Sequence, residues 1–296
     1  MMNPKSTKRA SLAIGAVVAL TATVATFPEM AGAASSGGVS ISETNDGLVV
    51  KGSSSKDFVS IVSAPDGAVD VRIRADNGQL VGHSLVSDFT GNLRVDLGAN
   101  DDAVYVEGLE LEAVKIEMGA GSDRADLNKV SLSSLAMNGG EGDDYLGLRE
   151  VRGESARMAT GKGKGWIAIS DSLFGMTDIL TGSDDDLVTI SRSSLGDGWI
   201  GTQSGDDRVT TDWALFTHFH LALGEGDDHA SIDFDDDLDA SHVVIYGEDG
   251  DDTLTVTSEF EVIPQTIKFN GGADHDTFNS AAVEIWSLLQ VEEIAP

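Results

Sequence analysis

Nine turns recur at regular spacing along the chain; all but the fourth set aspartates beside glycines, and carboxylates set out in this way are suited to holding cations. They read GANDDAV, GAGSDRA, GEGDDYL, GKGKGWI, GSDDDLV, QSGDDRV, GEGDDHA, EDGDDTL and GADHDTF. Their anchor positions are Asp102, Asp123, Asp144, Gly165, Asp186, Asp207, Asp228, Asp252 and Asp276, spaced by 21 residues six times and then by 24 twice. Asp143, Asp206, Asp227, Asp251 and Asp274 stand beside them as further candidate ligands. Calcium takes about six to eight oxygen ligands, and glycines let backbone carbonyls turn toward an ion. If successive coils stack, the anchors lie about 4.8 Å apart. Two bare carboxylates at that distance repel by about 0.9 kcal/mol in water and about 3.5 kcal/mol at an effective dielectric of about 20. Such a column needs a counter-ion.

The fourth turn, Gly161-Lys162-Gly163-Lys164-Gly165, has no acid and two lysines. A lysine there is expected to neutralise Asp144 and Asp186 in place of a metal, dividing the column into Asp102–Asp144 and Asp186–Asp276. A plainer account makes these glycines and aspartates turn-formers only, solvated rather than liganded.

The elements that present the turns follow from the apolar residues, which keep the same phase. Two positions past the anchors stand Val104, Ala125, Leu146, Ile167, Val188, Val209, Ala230, Leu254 and Phe278. Val106, Leu127, Leu148, Ile169, Ile190, Ile232 and Val256 lie four past, and Ile116, Met137, Met158, Ile179, Ile200 and Leu221 fourteen past. The local alternation has period two, so these are strands with one face buried. Each coil has at least two of them, and its apolar face is buried only by its neighbours. The pattern predicts an all-β chain: a parallel β-helix or β-solenoid of about nine coils of 21–24 residues, with Val104, Leu146, Ile167, Val188 and Val209 in one buried column.

One stretch matches a known calcium motif. Gly139-Gly140-Glu141-Gly142-Asp143-Asp144-Tyr145-Leu146 fits GGxGxDxUx, where U is a large apolar residue. Residues 224–228 and 271–276 are good partial matches. Over residues 97–280 the chain resembles the hemolysin-type calcium-binding (RTX-like) repeat family and the degenerate GxGxDD solenoids of bacterial secreted proteins. That resemblance implies Ca2+ between successive coils, held by the aspartates named above and by backbone carbonyls. Two departures limit it. RTX motifs run in tandem every nine or so residues and build two calcium rows, whereas one motif per 21 residues here implies one main row. RTX chains also carry a C-terminal export signal, and this chain begins with an N-terminal one.

Residues 1–33 read as that signal: Lys5, Lys8 and Arg9 precede an apolar run over 12–27, and Ala31-Gly32-Ala33 offers a cleavage site. The expectation is a secreted protein, extracellular or at the cell surface, with no membrane span in the mature chain. Residues 34–96 form an N-terminal β cap with a degenerate repeat anchored on Asp57, 45 residues before Asp102. Residues 97–280 are the solenoid, and 281–296 cover its far end. The 296 residues contain no cysteine and a formal charge of −31, which exclude disulfide stiffening and argue against nucleic acid. Calcium ions, and beyond them a cell-surface polysaccharide or a basic protein surface, are the natural partners.

Weaker candidates remain. His218, His220 and Asp197 sit at outward positions of neighbouring coils and are placed to meet at a transition metal. Residues 233–239 hold five aspartates in the first longer coil, a second possible cation loop. No HExxH, GxSxG or P-loop motif occurs. The leading expectation is a calcium-binding structural or adhesive module. The alternative is a carbohydrate-active parallel β-helix enzyme, lyase-like and acting on acidic polysaccharide, which a groove on one solenoid face with a lysine or arginine beside a calcium turn would favour.

Overall fold

The computed structural model describes residues 38–44, 47–87, 89, 91–234, 242–257, 266–281, 287–289 and 293–295. The leader expected over 1–33, and most of the aspartate-rich segment 233–239, lie outside them.

Alternation of apolar and polar residues gives each coil two strands, and the strands sort into two facing sheets of 12 and 13 members. One coil shows the plan. Ala113–Ala120 runs in the first sheet, the chain turns through Gly121-Ser122-Asp123, and Arg124–Asn128 runs in the second. A second turn then leads to Ser134–Glu141, back in the first sheet and parallel to Ala113–Ala120. From Asp102 to Asp276 the nine anchors bound about eight turns, one fewer than the count of motifs. At about 4.8 Å per rung these eight turns span about 40 Å.

The registers follow the sequence phase. Val104, Ala125, Leu146, Ile167, Val188, Val209, Ala230, Leu254 and Phe278 are successive partners down the second sheet, all buried. Ile116, Met137, Met158, Ile179, Ile200 and Leu221 form the facing column. Burying one such side chain is worth about 1.5–3 kcal/mol, so stacking rather than any single coil supplies the stability. Asp57–Ser63 pairs in parallel with Ala103–Glu107 at the 45-residue offset, Val59 against Val104. The intervening residues include Val69–Ala75 and Leu80–Val86, which add antiparallel strands to that end of the second sheet. Ser287–Leu289 and Glu293–Ala295 continue the two sheets at the other end.

The coil edge opposite the anchors is built differently. Lys129, Glu150, Asp171, Arg192 and Trp213, at equivalent positions, all have left-handed backbones with φ between 45° and 54°. Beside them the Ser172 hydroxyl accepts from the Val151 amide, and the Ser193 hydroxyl from the Ser172 amide, both at 3.1 Å.

Candidate metal centre: two rows of aspartates

The anchor turn must satisfy two amides that the sheets leave over. The strands pair amide with carbonyl from coil to coil, but the peptides at the anchor and at the residue before it are rotated by the turn. Carboxylates from neighbouring coils take over. The anchor amide of each coil donates to the anchor carboxylate of the next: Asp102 N–H to Asp123 Oδ1 at 2.6 Å, Asp123 to Asp144 at 2.9 Å, Asp186 to Asp207 and Asp207 to Asp228 at 2.7 Å. Asp228 to Asp252 (3.0 Å) and Asp252 to Asp276 (3.1 Å) continue the series, and Asp57 donates to Asp102 at its start.

A second row, one residue earlier, runs in the opposite sense. Here the amide of each coil donates to the carboxylate of the coil before: Ser122 to Asp101, Lys164 to Asp143, Asp206 to Asp185, Asp227 to Asp206, Asp251 to Asp227 and His275 to Asp251, at 2.9–3.2 Å. Two carboxylate rows therefore exist where one was expected. The inner one holds Asp102, Asp123, Asp144, Asp186, Asp207, Asp228, Asp252 and Asp276, each at most 3% exposed. The outer one holds Asp143, Asp206, Asp227 and Asp251, and also Asp101 and Asp185, which the motif reading did not single out. Asp274 belongs to neither row: it takes the turn's glycine position, exposed, with φ of 74°.

Burial dominates the electrostatics of the inner row. It pushes the carboxyls of Asp102, Asp144, Asp207, Asp228 and Asp252 from 3.8 up to about 7. The amide hydrogen bond pulls each back and neighbouring carboxylates push it up again. Asp123 and Asp186 are raised by the same burial. The second oxygens of Asp102, Asp123, Asp144, Asp228 and Asp252 are buried without a hydrogen-bond partner. A buried carboxylate oxygen left so is costly when charged. A proton removes most of that cost.

The fourth turn departs from the lysine expectation. Lys162 Nζ pairs with Glu141 at 2.9 Å and Lys164 Nζ with Asp185 at 2.7 Å, all four side chains well exposed. Neither lysine neutralises Asp144 or Asp186. The lysine stems leave the turn on its solvent side, so they reach Glu141 and, in the outer row, Asp185. The ladder is instead closed by backbone, the Asp144 amide donating to the Lys164 carbonyl at 3.1 Å, while the Gly165 amide donates to Asp186. Thr160 fills the space that a side chain at Gly165 would need. In the coil before, the sizes are exchanged: Gly139 makes room for Asp144. Gly165→Asp alone is therefore expected to destabilise by about 2–4 kcal/mol through overpacking. Adding Thr160→Gly should recover all but about 1 kcal/mol of it near pH 5, as read by thermal melts.

Fit to calcium can be judged from these donors. In the inner row one oxygen is committed to an amide and the other turns into the core, which suits a proton better than a hydrated ion. The outer row has one amide-bonded oxygen per carboxylate and an exposed side chain, so it can offer the second oxygen to a cation that keeps part of its water. Among the described residues no three His, Cys, Asp or Glu side chains converge on one point. The histidine candidates also separate. His218 Nδ1 lies 2.7 Å from Asp197 Oδ1, but His220 is in the next outward column, beside Trp199. His242 takes its place, its ring 5.7 Å from that of His218. The 24-residue spacing that begins in that coil hid it.

Two open concavities stand out among the described residues. One, of about 390 Å³, lies on the outward face of the second sheet, lined by Phe58, Tyr105, Arg72, Arg74 and Arg124 among others. The other, of about 440 Å³, lies on the edge opposite the anchors around Arg152, Leu173, Arg192 and Trp213. Among the described residues no helix is long and apolar enough to cross a membrane. No family model, curated protein or solved structure matches the chain.

Proposed function

We propose that the chain is a secreted structural or adhesive module, a solenoid rod whose outer aspartate row takes up calcium. One observation carries this reading. Asp185, Asp206, Asp227 and Asp251 stack on four successive rungs, each with one oxygen fixed by a neighbouring amide and an exposed side chain. Fixing one oxygen orients the other, which reduces the ordering cost of binding. Lys164 already neutralises Asp185, so Asp206, Asp227 and Asp251 are the residues that would hold the ion. Calcium would add counter-charge along the edge and tie adjacent coils together.

Extracellular calcium sites have Kd values of about 10⁻⁴–10⁻³ M. About 10 mM Ca2+ is then expected to stabilise the fold by about 1.5–3 kcal/mol relative to EDTA. Asp227→Asn should remove most of that gain. An identical melt in both media overturns the calcium reading and leaves the rod.

The enzyme reading has one observation in its favour, the arginines of the 390 Å³ concavity. A lyase of this kind needs a basic group that gives up its proton. Arg124 is a poor candidate: burial lowers its pKa, but the Asp126 carboxylate more than offsets this and holds it above its ordinary value. Recognition of an anion suits that surface better than bond cleavage.

A further inference from the structure

Down the outward face of the second sheet, one column of the pleat reads Arg74, Phe58, Ala103, Arg124, Tyr145, Trp166. The column beside it starts Arg72, Ser60, Tyr105, Asp126 and goes on through the small residues Gly147 and Ala168. Phe58, Tyr105 and Trp166 are 39%, 37% and 46% exposed. Core packing does not account for them. Further along, the same column turns to Arg208, His229, Thr253 and Thr277, so the aromatic rings are gathered at one end of the rod.

These groups are held in place before any ligand arrives. The Arg124 guanidinium lies 4.0 Å from the Tyr145 ring centre and is paired with Asp126. Tyr145 meets Trp166 edge to face, 5.0 Å between centres at 88°. Arg72 is tied to Asp70. Arg74 differs: it donates to the Gly78 carbonyl at 3.1 Å, and among the described residues it pairs with no carboxylate. In a chain of charge −31, Arg74 thus sets a guanidinium without a carboxylate partner, among the described residues, beside exposed rings.

We propose that this face binds a uronate-bearing polysaccharide strand lying along the solenoid axis. Arg74 takes a carboxylate through its planar fork of donors. Phe58 and Trp166 stack on the apolar faces of sugar rings. Ala103, between Phe58 and Arg124, leaves the hollow that admits a ring, and the Ser60 and Tyr105 hydroxyls meet sugar hydroxyls. Phe58 and Trp166 are four rungs apart, about 19 Å, so the full site needs an extended ligand. Densely charged polymers such as nucleic acid are disfavoured, because the acidic turns run alongside the same strands. This proposal goes beyond the calcium reading and does not depend on it.

The test is titration calorimetry on the full chain, in EDTA so that calcium bridging is excluded, with a galacturonate hexamer as probe. Binding is expected, with the neutral glucose hexamer at least about tenfold weaker. Arg74→Ala should weaken the uronate hexamer about tenfold or more while leaving the neutral probe unchanged. Trp166→Ala should weaken the hexamer but not the dimer, which cannot span the site. Trp199→Ala, an equally exposed tryptophan on the other sheet, should change nothing. Absence of binding, equal affinity for the neutral hexamer, tighter binding of single-stranded DNA or polyglutamate, or equal loss in Trp199→Ala would each overturn the proposal. All three substitutions are at exposed positions, and a calcium-free melt identical to that of the parent chain verifies folding.

Discussion

Acidification is expected to stabilise this protein, with the melting temperature falling by about 10 °C or more between about pH 5.5 and about pH 8.5 in EDTA. The cause is the inner aspartate row. The carboxyls of Asp102, Asp144, Asp207, Asp228 and Asp252 stand at about 7 in the folded chain against 3.8 when solvated. A value raised by folding means that the protonated form is the one the fold prefers. The stabilisation is therefore complete below the unfolded value and is lost as pH rises through about 7. Between the unfolded and the folded value each group costs up to about 1.4 kcal/mol per pH unit, a loss that is complete once the pH has passed about 7, and the row titrates as a coupled set rather than site by site. With a chain of this size losing about 2–4 °C per kcal/mol, a net cost of about 3–5 kcal/mol already gives the stated fall. Asp228→Asn separates charge from hydrogen bonding. Its amide oxygen still accepts from the Asp207 N–H, so the variant should melt higher than the parent at alkaline pH and no higher in acid. Asp228→Ala removes the acceptor and should cost about 1–3 kcal/mol throughout. A melting temperature that stays flat or rises with pH would show that the row is not protonated.

Gly140→Ala is expected to cost about 4 kcal/mol or more, a large effect for one added methyl group. Gly140 has φ of 116°, and a Cβ there would overlap the Gly119 carbonyl of the coil before, which is backbone and cannot swing away. The same register position is taken by Gly98, Gly119, Gly161, Gly182, Gly224 and Gly272, but by Gln203 and Glu248 in two coils. Those two adopt φ of 76° and 86°, nearer the left-handed well that side chains tolerate. Gln203→Gly should therefore be neutral or stabilising by up to about 1 kcal/mol, from relief of that conformation. Urea unfolding with unchanged m-values would report both effects. Equal costs for Gly140→Ala and Gln203→Gly would mean that the close approach of coils is not what selects glycine here.

The rungs were legible because they rest on local periodicity. Val104, Leu146 and Ile167 share a column since residues 21 apart are neighbours whenever coils stack, and Asp57 could be placed at 45 residues for the same reason. What the aspartates bond was not legible. Asp144 accepts from the Asp123 amide and Asp143 from the Lys164 amide, a choice made by peptide rotation in the turn, which side-chain spacing does not encode. A calcium motif and an amide-capping motif therefore look alike as strings of letters. Likewise Arg74 meets Phe58 only through an antiparallel hairpin, and no repeat period points to that pairing.

The fourth coil, without an anchor carboxylate, is joined to the third by backbone, the Asp144 amide donating to the Lys164 carbonyl, so that one junction needs no carboxylate of its own. Its neighbouring strands, Arg152–Lys162 and Leu173–Ser183, are the longest among the described residues at 11 residues each and pair through nine registered positions. Nearest-neighbour stacking makes such a protein behave as a one-dimensional chain of coupled units. As the pH climbs, the rungs on either side lose coupling while this middle segment keeps its own. Fraying is then expected to run inward from both arms and to stall there, leaving the lysine-bearing coils as the last folded piece and the natural seed from which the rod re-zips when acid returns.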